Sequence, residues 1–188
     1  MRWRQPAGWE KYKRLLKLVK KLDGYESTAD VLRASGLAKD PRGGMGALHM
    51  ASVLGFCHAH SGGRRTLLWG PGRRPARETA PKLARETEYR RVVNMLRKAP
   101  RAAFPTGRLQ EVAGGRTRQE VVGAMKLLVA AGLVDYVVMR PWTKSRGITC
   151  WGWSSPDIHD SDRHYRGGLG GPQEPVVLGW MQGARADD

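Results

Sequence analysis

The chain has 188 residues, with 33 Lys and Arg against 17 Asp and Glu, a formal net charge of +16 and a pI near 10.6. That length holds one or two domains of ordinary size, and a hydrophobic content of 40% supplies packed cores rather than disorder. No apolar run approaches the about 18 residues of a membrane span, the amino-terminal stretch lacks an apolar signal core, and two cysteines are too few for a disulfide scaffold.

The charge is uneven. Residues 155–188 hold six acids and three bases, so residues 1–154 carry 30 bases against 11 acids, a net +19. Such an excess repels itself until a polyanion neutralises it, and nucleic acid is the commonest polyanion for a domain this basic. Double-stranded DNA is the expected partner, RNA the alternative. The expected location is cytoplasmic (nucleoid-associated in a bacterium or phage), not secreted, with no membrane partner.

In chain order, Leu15, Leu16, Val19 and Leu22 fall on one face of a first helix, with Lys13, Lys17, Lys20 and Lys21 largely off it. Ser27, with Asp30 three residues later, starts a shorter second helix that ends near Gly36. Asp40 caps a third helix with Pro41 at its first position, and Leu48, Ala51 and Leu54 form its inner stripe. Gly43, Gly44 and Gly46 each cost that helix about 0.5–1 kcal/mol relative to Ala, which predicts a loose helix or one that settles only on DNA. Gly55 takes the left-handed turn that ends it. A hairpin follows, turning at Ser61-Gly62-Gly63 and returning from Arg64 to Trp69-Gly70.

The same order then recurs. Shifted by 77 positions, residues 12–58 fall on residues 89–135 without a gap: Tyr12 on Tyr89, Arg14 on Arg91, Lys21 on Lys98, Gly46 on Gly123, Gly55 on Gly132. Val92, Val93, Leu96 and Ala99 repeat the first apolar stripe, and Pro100 ends that helix. Pro105 and Thr106 open the next helix, and Gly114-Gly115 close it. Thr117-Arg118-Gln119-Glu120 is a capping box at the position Asp40 holds in the first copy. Met125, Leu128 and Ala131 form the inner stripe of the helix it opens. A strand over 134–138 leads to a turn within 141–145 and a return strand ending at Trp151-Gly152. This return strand aligns with the first at a shift of 82, so the second hairpin carries five extra residues.

Gly46 and Gly123 lack side chains at the same point, which lets a neighbouring helix come close. Trp69 and Trp151 are expected to cap the small cores rather than stack on bases. A repeat this long is a domain copied twice, not a solenoid unit. The expected division is a first domain over 1–72, a basic Pro/Gly linker over 73–87, a second domain over 88–154 and a tail over 155–188. The tail reads as loop, then a Gly- and Pro-rich segment. Its apolar end, Val176 to Trp180, is available to dock on its own domain, a second subunit or a protein partner.

The fold class is mainly α with small β-hairpins (α+β). Three helices followed by a hairpin with a Gly-rich or basic tip resemble the winged helix-turn-helix superfamily, over residues 9–72 and 86–154, as two domains in tandem. Such tandem arrangements also resemble replication initiators of plasmids and phages, and some transcription regulators. The resemblance implies a recognition helix in the major groove, with its start against base edges, and a wing on the backbone. Carried over to this chain, it implies contacts from Arg42, Met45, His49, Ser52, Arg64 and Arg65 in the first copy. In the second it implies Arg116, Arg118, Gln119, Lys126, Arg140, Lys144 and Arg146. Arg and Gln make bidentate contacts to base edges; Lys and wing Arg meet phosphate. Arg73 and Arg74 in the linker are further phosphate contacts.

Other chemistry is weakly encoded. His159, Asp160, Asp162 and His164 cluster in a loop without further ligands, and no metal site is expected there. Strand alternation turns Cys57 and Ala59 one way, His58 and His60 the other. Cys57 and Cys150 are expected at nearly equivalent strand positions in different copies, unbridged. There is no phosphate-binding loop with its Lys and no catalytic triad spacing, so neither an enzyme nor a cofactor is expected.

Overall fold

The computed structural model describes residues 6–63, 66–76, 84–139, 148–155, 164–166 and 176–177. Among them it is mixed α and β, with six helices and two small sheets. The amino-terminal half runs α1 (Trp9–Val19), β1 (Glu26–Ser27), α2 (Thr28–Ser35), α3 (Pro41–Val53), β2 (Cys57–Ser61) and β3 (Leu67–Pro71). The second half runs α4 (Ala84–Lys98), β4 (Ala102–Pro105), α5 (Thr106–Val112), α6 (Arg118–Ala130), β5 (Val134–Met139) and β6 (Ile148–Trp153). The order helix, strand, helix, helix, strand, strand is therefore the same twice.

Local chemistry sets the helix ends. Asp40 accepts from the Gly43 N–H at 3.1 Å, with Pro41 at the first position of α3. Thr117 and Glu120 form the full capping box of α6, and Ser27 accepts from the Asp30 N–H at the start of α2. Gly55 and Gly132 sit at φ +77 and +72°, where a side chain would be strained.

Each half also contains a strand that local pattern does not announce. β1 pairs with the return strand β3, Glu26 opposite Trp69, and β4 pairs with β6, Phe104 opposite Trp151. The sheet orders are β1-β3-β2 and β5-β6-β4-β7-β8, where β7 is His164–Tyr165 and β8 is Val176–Val177. Both tryptophans are fully buried. Trp69 Nε1–H donates to Thr28 Oγ1 at 2.9 Å, and Trp151 Nε1–H donates to Thr106 Oγ1 at 3.0 Å. Each threonine hydroxyl in turn donates to the carbonyl two residues before its tryptophan, Leu67 or Thr149. Thr106→Val leaves a buried indole N–H without a partner. It should cost about 1–3 kcal/mol in urea unfolding, and Thr28→Val a similar amount; a loss below about 0.5 kcal/mol for both would remove this relay from the stabilising contacts.

Three features differ from expectation. Residues 84–87, assigned to the linker, are the first turn of α4, held because Glu86 and Glu88 have partners on other elements. The tail is not all loop: β7 (His164–Tyr165) lies parallel to β4, and β8 (Val176–Val177) pairs antiparallel with β7. Val176 and Val177, the first residues of the tail's apolar end, thus extend the sheet that holds β4; Leu178 to Trp180 lie outside the described residues. The cysteines are not equivalent either: Cys57 opens the outgoing strand β2, while Cys150 lies on the return strand β6. Both are free and buried, and burial pushes both thiols up to about 12.

The two halves share one hydrophobic core. Among the described residues no strand of one half pairs with a strand of the other, and the junction is helical: α3 packs along α6, α1 against α6, and α4 against α3. A Cβ on Gly46 would overlap the carbonyl oxygen of Glu120, and a Cβ on Gly123 would overlap the carbonyl oxygen of Gly43. Because 43 and 120, like 46 and 123, are 77 apart, the contact is reciprocal. It has the form of an isologous interface within one chain.

Candidate nucleic-acid interface

The third helices do not stand free. Gly43, Gly44, Gly46, Ala47, Leu48, His49, Met50 and Ala51 of α3 are buried, as are Glu120, Val121, Gly123, Ala124, Met125, Leu127 and Leu128 of α6. The glycines expected to loosen α3 are contact points. A side chain at Gly43 would strike Asp40 and the Tyr12 hydroxyl, one at Gly44 would strike Leu32, and one at Gly46 would strike α6.

The residues named from sequence separate into three groups. Arg42, Arg73, Arg118 and Gln119 are exposed, and Met45 is half-buried. Arg42 lies in the first turn of α3, and Arg118 and Gln119 in the first turn of α6, beside the helix crossing. A second group is half-buried and already engaged with other parts of the chain. Arg116 grips Glu88 with Nε and Nη2 at 2.6 and 3.1 Å, which raises its already high pKa. Ser52 donates to Glu86 at 2.7 Å, and Arg74 donates to the Ala59 carbonyl at 2.8 Å. Lys126 donates to the Ala7 carbonyl at 2.6 Å, 5.5 Å from the Tyr12 ring centre, and burial lowers its pKa. Arg64, Arg65, Arg140, Lys144 and Arg146, the wing set, lie outside the described residues.

His49, expected on the outer face of α3, is instead 0% exposed and meets Trp69 edge-on at 5.2 Å. Both ring nitrogens are buried without a hydrogen-bond partner, so the ring is not presented on the outer face of α3. Burial, then the Arg85 and Arg116 charges, lower its pKa from 6.5 to about 3. The unfolded chain therefore binds the proton that the folded chain refuses. The stability present above pH 6.5 falls as pH drops below it, by about 2 kcal/mol at pH 5. Urea midpoints at pH 7.5 and 5.0 measure this; His49→Leu should remove most of the acid loss, and an unchanged loss in that variant would refute the assignment.

Sequence reasoning placed the contact residues on the third helices and passed over the first. On α1 and its carboxyl-terminal turn, Lys13, Arg14, Lys17, Lys20 and Lys21 are all exposed. Their counterparts 77 residues on, Arg90, Arg91, Asn94, Arg97 and Lys98, are all exposed on α4. Four of these five positions are basic in both copies. Within the third helices no charge is shared between copies: Arg42 falls on Gln119, Met45 on Val122, His49 on Lys126 and Ser52 on Val129, while just before them exposed Lys39 falls on Arg116, which is paired with Glu88. The signal lay in the alignment of the two copies.

No protein-family model, curated protein or solved structure matches the chain. No helix among the described residues is long and apolar enough to cross a membrane.

Proposed function

We propose that the chain is a double-stranded DNA-binding protein, a transcription regulator or replication-initiator-like factor, built from two fused winged helix-turn-helix units. The observation that carries this reading is the net +19 over residues 1–154 on a fold that twice runs helix, strand, helix, helix, strand, strand. That is the order in which a winged unit presents a third helix and a hairpin. Packing of α3 on α6 limits base reading to the exposed helix starts, Arg42 on one side of the crossing and Arg118 and Gln119 on the other. Helix starts are where helix-turn-helix proteins meet base edges, and Arg and Gln suit guanine and adenine.

Selection of bound sites from random duplex DNA tests this directly. An enriched motif is expected, and combining Arg42→Ala, Arg118→Ala and Gln119→Ala should erase the motif at a cost of about 1–3 kcal/mol per lost base contact. Recovery of no motif by the native protein would refute sequence-directed binding.

A further inference from the structure

We infer that the outward faces of α1 and α4 are twin docking surfaces for the phosphate backbone of duplex DNA. This rests on the DNA-binding reading above and assigns its main contact surface to the first helices instead of the third. A duplicated domain that uses one surface twice should keep that surface's charge in both copies. The first helices do so and the third helices do not.

The faces are built for contact. On α1, Tyr12, Leu15, Leu16 and Val19 are buried in the core, while the bases occupy the opposite arc. With its main apolar stripe already covered and only Trp9 and Leu18 half-buried, α1 has little to insert into a bilayer, which separates this surface from that of a membrane-binding amphipathic helix. On α4 the acids turn inward, Glu86 to Ser52 and Glu88 to Arg116, leaving the outer arc without a competing carboxylate. On α1 the one acid, Glu10, precedes the bases. Two matched bases rest over aromatic rings: Lys20 lies 4.5 Å from the Phe56 ring centre and Arg97 lies 5.7 Å from that of Trp153. Such contacts hold a cationic head near one position.

Residues 13–21 span about 12 Å of helix, and the four matched bases on each face neutralise about three to four phosphates. Each face then displaces about that many counterions on binding.

The experiment is a salt titration of the full-length protein on a duplex DNA of arbitrary sequence. One variant carries Lys13→Gln, Arg14→Gln, Lys20→Gln and Lys21→Gln. A second carries Arg90→Gln, Arg91→Gln, Arg97→Gln and Lys98→Gln. A control with the same charge change carries Arg33→Gln, Lys39→Gln, Arg101→Gln and Arg166→Gln, all exposed elsewhere. Thermal unfolding confirms that each is folded. The slope of log K against log salt should fall in magnitude by about 3–4 in each face variant, and by less than about 1 in the control. Equal losses in control and face variants would make the attraction diffuse and overturn the surface. So would unchanged slopes in the face variants, even with the selected DNA motif intact, and there the DNA-binding function would stand without this surface. A native protein that binds no duplex DNA, or that prefers duplex RNA in parallel titrations, defeats both assignments.

Discussion

Gly46→Ala and Gly123→Ala should each destabilise the protein by about 3 kcal/mol, although helix propensity alone predicts that each gains about 1 kcal/mol. The sign distinguishes the two effects. A methyl group at position 46 occupies the place of the Glu120 carbonyl oxygen, and one at 123 the place of the Gly43 carbonyl oxygen. The obstructing atoms are helical backbone, which cannot rotate away as a side chain does. Relief requires α3 and α6 to separate, and separation loosens the residues packed around the crossing, Ala47 and Met50 on one side, Ala124 and Leu127 on the other, all 0% exposed. Gly107, in α5 with nothing near its missing Cβ, supplies the contrast: Gly107→Ala should be neutral or slightly stabilising. Chemical unfolding of the three variants measures the difference. Stabilisation at 46 and 123 would mean that the helices do not cross at these glycines.

This crossing also shows where sequence reasoning stopped. That Gly46 and Gly123 admit a neighbouring helix follows from their position; that each admits the other's helix does not, because periodicity describes one helix at a time. Composition held a further clue. Over Pro41–Val53 the only ionisable side chains are Arg42 and His49, and a helix with so little polar surface is covered on more than one side. The first helices, by contrast, have a wide cationic arc that is exposed among the described residues. The inner stripes, helix caps, left-handed glycines and buried tryptophans were legible because each is decided within a few residues. β1 and β4 were not: β1 is two residues long and exists only through pairing with β3, about 40 residues further on. The same holds for Arg116, whose partner Glu88 lies on α4, 28 residues earlier.

Splitting the chain between residues 80 and 81 should leave neither fragment as a folded monomer, whereas mixing the two should restore a 1:1 complex. The cut severs no strand pairing among the described residues, since β1, β2 and β3 belong to one fragment and β4 to β8 to the other. What it removes is the shared core, where Leu15, Leu48 and Met50 from one half join Leu96, Leu127 and Leu128 from the other in a single cluster. Two small units that bury these faces only against each other lack the apolar burial to stand alone, given a total stability of about 5–15 kcal/mol for a protein of this kind. The intact chain should therefore unfold in one transition seen alike by Trp fluorescence and far-ultraviolet circular dichroism. The mixed fragments should show a melting temperature that rises with concentration, because association stabilises by mass action. Residues 1–80 sedimenting as a monomer with a sharp transition near that of the intact protein would show that the halves are independent domains. The α3–α6 junction would then be an arrangement available to two separable units, and their third helices could part to meet DNA.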